Sequence, residues 1–126
     1  MKNTTSSNKG FTLVEIMIVV AIIGLLAAIA IPNFVRARTQ SQKNACINNL
    51  RQIDGAIQQW ALENKQAAAA PVVSTDIFPY LKSVVMCPSG GTTFSDSYTL
   101  ATAQDKPVCK KVPGVNNHAL PADTSN

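Results

Sequence analysis

Lys9-Gly10-Phe11-Thr12-Leu13-Val14-Glu15 leads directly into Ile16–Ile31, a run without a single charged residue. Phe11 to Ile31 covers 21 residues. As an α-helix at about 1.5 Å per residue this stretch reaches about 31 Å, close to the ~30 Å hydrocarbon core of a bilayer. It can therefore span a membrane, and it carries one carboxylate, Glu15, just inside its N-terminal edge. A charged group in hydrocarbon costs on the order of 2.5–3.5 kcal/mol near a helix centre and less near an edge. A cation on a neighbouring chain would offset that cost and would also fix axial register. An ionisable residue at this depth points to function.

Pro32 interrupts the apolar run and Gly24 adds a second weak point. A proline inside a helix removes one backbone hydrogen bond and kinks or loosens the turn before it. Beyond Asn33 the pattern turns amphipathic. Cys46, Leu50, Ile53, Ile57 and Trp60 recur at spacings of four and three, a helical stripe, while Arg51, Gln52, Gln58, Gln59 and Glu63 lie mainly off it. The second half of the helix is thus expected to pack on a globular head through Leu50, Ile53, Ile57 and Trp60. Gln66–Pro71, with four alanines and a proline, reads as the helix end.

The 61 residues from Gln66 onward are a small head with few large apolar side chains. Thr75-Asp76 can cap a short helix through Leu81. Pro88-Ser89-Gly90-Gly91 is a turn. Thr92–Phe94 and Tyr98–Ala101, on either side of Ser95-Asp96-Ser97, read as a short hairpin, with Pro107–Val112 as a third strand or loop. The segment after Pro113 reads as a loosely held tail containing the one histidine, His118. The expected class is α+β: a long helix over about residues 12–65, kinked near Pro32, and a head with a short β-hairpin. The expected divisions are residues 1–10, 11–33, 34–65 and 66–126.

The net charge of +4 is unevenly placed. Arg36, Arg38 and Lys43 follow the apolar run closely, where lipid headgroups or neighbouring subunits are nearest. The few aromatic residues are not interleaved with the basic ones, which argues against nucleic acid as a partner. Lys2 and Lys9 before the span and three basic residues after it leave charge counting unable to orient the chain. The polar stretch Met1–Lys9 also differs from a secretory signal peptide, in which the apolar region precedes the cut.

No GxSxG, HExxH, Walker A or GxGxxG stretch occurs, so no enzyme is indicated. Asp96 and Asp105 bracket a loop that lacks the dense run of oxygen ligands a calcium site needs. Cys87, Cys109 and His118, with Cys46, are the residues able to hold zinc. The close paired spacings of zinc ribbons and fingers are absent, so no metal or cofactor is expected. Three cysteines allow three pairings, each leaving one thiol over.

Gly10-Phe11-Thr12-Leu13-Val14-Glu15 before a long apolar helix resembles the processing site of type IV pilins and type II secretion pseudopilins. The resemblance covers about Lys9 to Asn33. It implies that a prepilin peptidase cuts between Gly10 and Phe11, and that the new Phe11 amine is N-methylated. It further implies that Glu15 meets the Phe11 amine of a neighbouring subunit during assembly. The leader would lie in the cytoplasm, the helix in the inner membrane and the head outside. The chain would then pass into an extracellular pilus or a periplasmic pseudopilus. The implied partners are inner-membrane lipid, the pilus or secretion machinery and further copies of the chain in a helical filament. Many pilins close a C-terminal loop with a disulfide, which favours Cys87–Cys109 here. That loop encloses 21 residues, a closure worth roughly 3 kcal/mol. The readings in order are a pilus-like filament subunit, a type II secretion pseudopilin, and a single-span anchored binding module that never polymerises.

Overall fold

A computed structural model describes residues 9–112 and 118–121. The chain divides into two compact units, Met1–Ala37 and Arg38–Asn126. Helix α1, Leu13–Glu63, contributes its first half to one unit and its second half to the other.

In the first unit α1 is rich in Ile and Val, side chains that lose rotamer freedom in a helix. Such a stretch stays helical in hydrocarbon, where every backbone polar group must be satisfied within the segment. The assigned helix passes through Gly24 and Pro32 without interruption.

The end of α1 is set by backbone geometry. Lys65 has φ 51°, and the N–H groups of Lys65 and Gln66 donate to the carbonyls of Leu62 and Ala61 at 3.3 and 2.9 Å. This is the left-handed Schellman closure that usually employs glycine. The Trp60 carbonyl accepts both the Asn64 backbone N–H at 3.0 Å and the Asn64 side-chain amide at 2.9 Å, which reinforces the last turn.

In the second unit one face of α1 makes the floor of the core. Cys46, Leu50, Ile53, Ala56 and Ile57 are buried against Val72, Ile77, Cys87, Phe94, Tyr98, Ala103 and Cys109. Trp60 stays partly buried at the edge. Helix α2, Ser74–Ile77, begins where the Asp76 carboxylate accepts the Val73 N–H at 3.2 Å. It runs into a 3-10 turn, Phe78–Tyr80, with Pro79 inside it. Phe94 joins Phe78 edge-on at 5.4 Å and Tyr98 at 5.5 Å between ring centres. The Asn49 amide donates to the Met86 carbonyl and to the Tyr98 hydroxyl, each at 3.0 Å, and so holds loop and strand to the helix.

The hairpin is present, but with a different pairing from that expected. Phe94–Ser97 is a helical turn, α3, because the Thr93 hydroxyl accepts the Asp96 N–H at 3.2 Å and caps it. That cap removes Thr92–Phe94 as a strand. Strand β1, Tyr98–Thr99, pairs instead with β2, Val108–Cys109, antiparallel with Tyr98 opposite Cys109. A second difference concerns His118, which is buried rather than loosely held. A bridge between Val108 and Ala119 ties its segment to β2. The remainder of the expected tail, residues 113–117 and 122–126, lies outside the described residues.

The Pro88–Gly91 turn is built tightly onto α3. The Gly91 N–H donates to the Cys87 carbonyl at 2.9 Å, and the Cys87 N–H donates to Ser97 Oγ at 3.1 Å. A methyl group at Gly91 would collide with the Ser97 hydroxyl and with the Cys87 nitrogen, 2.9 Å away. Gly91→Ala is therefore expected to cost about 1–3 kcal/mol, read from a denaturant titration. Gly55→Ala serves as its opposite, because a Cβ there meets nothing within 4 Å on the helix. That change should stabilise by about 0.5–1 kcal/mol.

Candidate assembly site

The N-terminal site is built by Thr12 and Glu15. Thr12 precedes the first helical residue, Leu13. Its hydroxyl accepts the Glu15 N–H at 3.2 Å. In return Glu15 Oε2 accepts the Thr12 backbone N–H at 2.7 Å and the Thr12 hydroxyl proton at 3.0 Å. The pair is a reciprocal capping box, which satisfies orphan donors of the first turn. The carboxylate also lies at the positive end of the helix dipole. Both bonds fall on Oε2, which leaves Oε1 outside the box.

Gly10 and Phe11 are exposed and precede the helix, and Phe11 is 88% exposed. A peptide bond in this setting is open to a peptidase without unwinding helical hydrogen bonds. From Leu13 to Ile31 the large apolar side chains are 51–75% exposed on all sides of the helix. Among the described residues α1 is the one helix long and apolar enough to cross a membrane. So much uncovered apolar surface calls for lipid or for other helices.

The remaining candidate residues lie elsewhere. Gly24 and Pro32 sit within α1. Leu50, Ile53 and Ile57 are at most 1% exposed in the head core. Cys87 and Cys109 are buried free thiols with their sulfur atoms 3.4 Å apart. Asp96 and Asp105 are engaged separately: Asp96 pairs with Lys111 at 2.6 Å, while Asp105 accepts the Thr102 hydroxyl at 2.6 Å. The Lys111 ammonium, with the Thr92 amide, holds the Asp96 carboxyl below its usual range. Burial, aided by the Lys43 ammonium, holds the His118 imidazole below its own.

Thr12 is the site residue that reading for charge and apolarity passes over. Its signal was present: Thr12-x-x-Glu15 before an apolar run is the sequence form of a capping box.

The family profile described as "Prokaryotic N-terminal methylation motif" matches residues 5–31. The fimbrial protein EcpC of Eikenella corrodens is 36% identical over 113 residues, 84% of this chain and 69% of that protein. The type IV major pilin protein PilA of Myxococcus xanthus is 59% identical over 44 residues, 35% of this chain and 20% of that protein. The type II secretion system core protein G of Escherichia coli is 33% identical over 60 residues, 48% of this chain and 41% of that protein. The chain therefore spans from a fifth to about two thirds of the length of these relatives. None of the three is named as an enzyme. No solved structure matches significantly. The matched segment contains the exposed Gly10–Phe11 bond, the capping-box carboxylate and the uncovered apolar helix, and EcpC extends the likeness into the head. This chain belongs to the type IV pilin and type II secretion pseudopilin family.

Proposed function

We propose that the chain is a structural subunit of a type IV pilus-like filament. The observation that carries this reading is an apolar helix left uncovered on all sides, with one carboxylate in its first turn. A prepilin peptidase removes residues 1–10, and the Phe11 amine is methylated. The helix waits in the inner membrane with the head outside, and assembly machinery then transfers it into a bundle of like helices. Lipid contact is exchanged for helix contact, and van der Waals packing with paired polar groups holds the bundle.

Glu15 has a specific part in this exchange. Its Oε2 closes the cap within its own chain, and Oε1 receives the Phe11 amine of a neighbour. A pair of opposite charges in a dry bundle favours association and sets the axial offset between subunits. The segment between Gly24 and Pro32 loosens on assembly, where the missing proline N–H already leaves one carbonyl without its helical partner.

The likeness to a type II secretion core protein supports a second reading, a short periplasmic pseudopilus built by the same chemistry. Deleting the gene distinguishes the two. Loss of surface fibres that contain the chain is the expected result. A secretion defect in cells that never display such fibres would assign it to the pseudopilus.

A further inference from the structure

Four side chains distant in sequence converge in the head. Cys46 lies on the inward face of α1, Cys87 opens the Pro88–Gly91 turn, Cys109 ends β2, and His118 follows on the segment bridged to β2. Their sulfur atoms and a ring nitrogen of His118 all lie within 4.8 Å of one another, and all four residues are buried. Tetrahedral zinc with sulfur ligands at about 2.3 Å places its ligand atoms about 3.7 Å apart. The 3.4 Å between the Cys87 and Cys109 sulfurs and the 4.8 Å limit of the whole set bracket that spacing. The atoms stand too close together to surround an iron–sulfur cluster, and the thiolate-rich set suits a soft, tetrahedral ion.

A disulfide accounts for less of this geometry. Bonding Cys87 to Cys109 would leave the Cys46 thiol buried beside it and His118 unused. His118 Nδ1 is buried with no hydrogen-bond partner among the described residues, a costly state for a polar atom. A single ion would engage all four groups and account for the odd cysteine number.

We propose that Cys46, Cys87, Cys109 and His118 bind one zinc ion in a structural Cys3His site. Binding releases the three thiol protons to solvent. Four protein ligands close the coordination sphere, which makes the ion a staple and leaves no position for substrate. It joins α1, the turn, β2 and the C-terminal segment, the kind of cross-link a head this small requires. The surroundings fit bound thiolates. The Tyr98 oxygen accepts from the Asn49 amide at 3.0 Å and from the Cys46 thiol at 4.0 Å; once Cys46 is a thiolate, the phenolic proton is free to turn and donate to its sulfur. Lys43 lines the same cavity as His118 and offsets the net negative charge of an ion bound by three thiolates.

The test uses the full chain, extracted from the membrane fraction in detergent without reductant or chelator. Elemental analysis should find about one zinc per chain. The denatured, unreduced mass should correspond to three reduced cysteines, protected from alkylation in the native chain until a chelator is added. Exchange with cobalt(II) should give the strong visible bands of a tetrahedral thiolate site. Cys46→Ser and His118→Ala should each weaken metal retention by about tenfold or more, and Tyr98→Phe, which keeps the aromatic ring in the core, by about tenfold. A metal-free chain two hydrogens lighter, with one alkylatable thiol, would overturn the proposal in favour of the disulfide. Zinc well below stoichiometry, or zinc indifferent to both ligand changes, would overturn it as well.

Discussion

Glu15→Gln should insert into the membrane and fold its head normally, yet be lost from filaments. The glutamine side chain can still accept the Thr12 hydrogen bonds that now reach Glu15 Oε2 at 2.7 and 3.0 Å. The capping box therefore survives while the charge disappears. Glu15→Ala removes both, and the cap alone is worth about 0.5–2 kcal/mol of helix stability. An unpaired carboxylate in hydrocarbon costs on the order of 2.5–3.5 kcal/mol near a helix centre and less near an edge, where Glu15 lies. If pairing with a Phe11 amine relieves about 1.4 kcal/mol, loss of the pair changes association about tenfold per contact. Repetition along a filament turns this into near-complete loss. The measurement is the amount of chain in sheared filaments relative to the membrane fraction. If Gln assembles as the native chain does and Ala does not, the carboxylate serves the cap and charge pairing is wrong. If both assemble normally, Glu15 has no part in assembly.

Ile53→Ala should unfold much of the head under conditions in which the native chain is folded. Ile53 is wholly buried, at the centre of the α1 face between Leu50 and Ile57. Truncating a buried isoleucine typically costs about 2–5 kcal/mol through lost transfer energy and the cavity left behind. Small domains have only about 5–15 kcal/mol in total, and this head has few large side chains to close around a void. Leu62→Ala on the same helix should change stability by less than about 0.5 kcal/mol, because Leu62 is 80% exposed. Denaturant unfolding of the two variants, followed through the single Trp60, checks the contrast. Equal effects would mean that the second half of α1 does not pack through this face.

These two predictions rest on the parts of the chain that its sequence displays most openly. The apolar run and the stripe from Cys46 to Trp60 are periodic over many residues. The expected helix of about residues 12–65 accordingly differs from the observed Leu13–Glu63 by one or two residues at each end. The hairpin was legible as a feature and not as a pairing. Strand propensity around Thr92–Phe94 is a local signal, and a single cap from Thr93 to Asp96 outweighs it. The true partner of β1 lies across a loop that no short pattern spans. His118 illustrates the same limit. Its neighbours Asn116, Asn117 and Pro121 read as tail, while one bridge from Ala119 to Val108 is enough to bury it. Cys46, Cys87, Cys109 and His118 were legible as the residues able to hold zinc, but not their meeting, for a related reason. Zinc motifs are recognised when ligands come in close pairs, and here each ligand comes from a different segment.

Processing at Gly10–Phe11, followed by entry into a filament through the exposed helix, is what we propose for this chain. Its most direct test is the intact mass and N-terminal sequence of the chain recovered from the sheared-fibre and membrane fractions. The predicted result is a chain that begins at N-methylated Phe11 in both fractions, with the ten-residue leader gone. A chain that still begins at Met1 in the membrane and is missing from any fibre would contradict the account and leave a simple membrane anchor in its place.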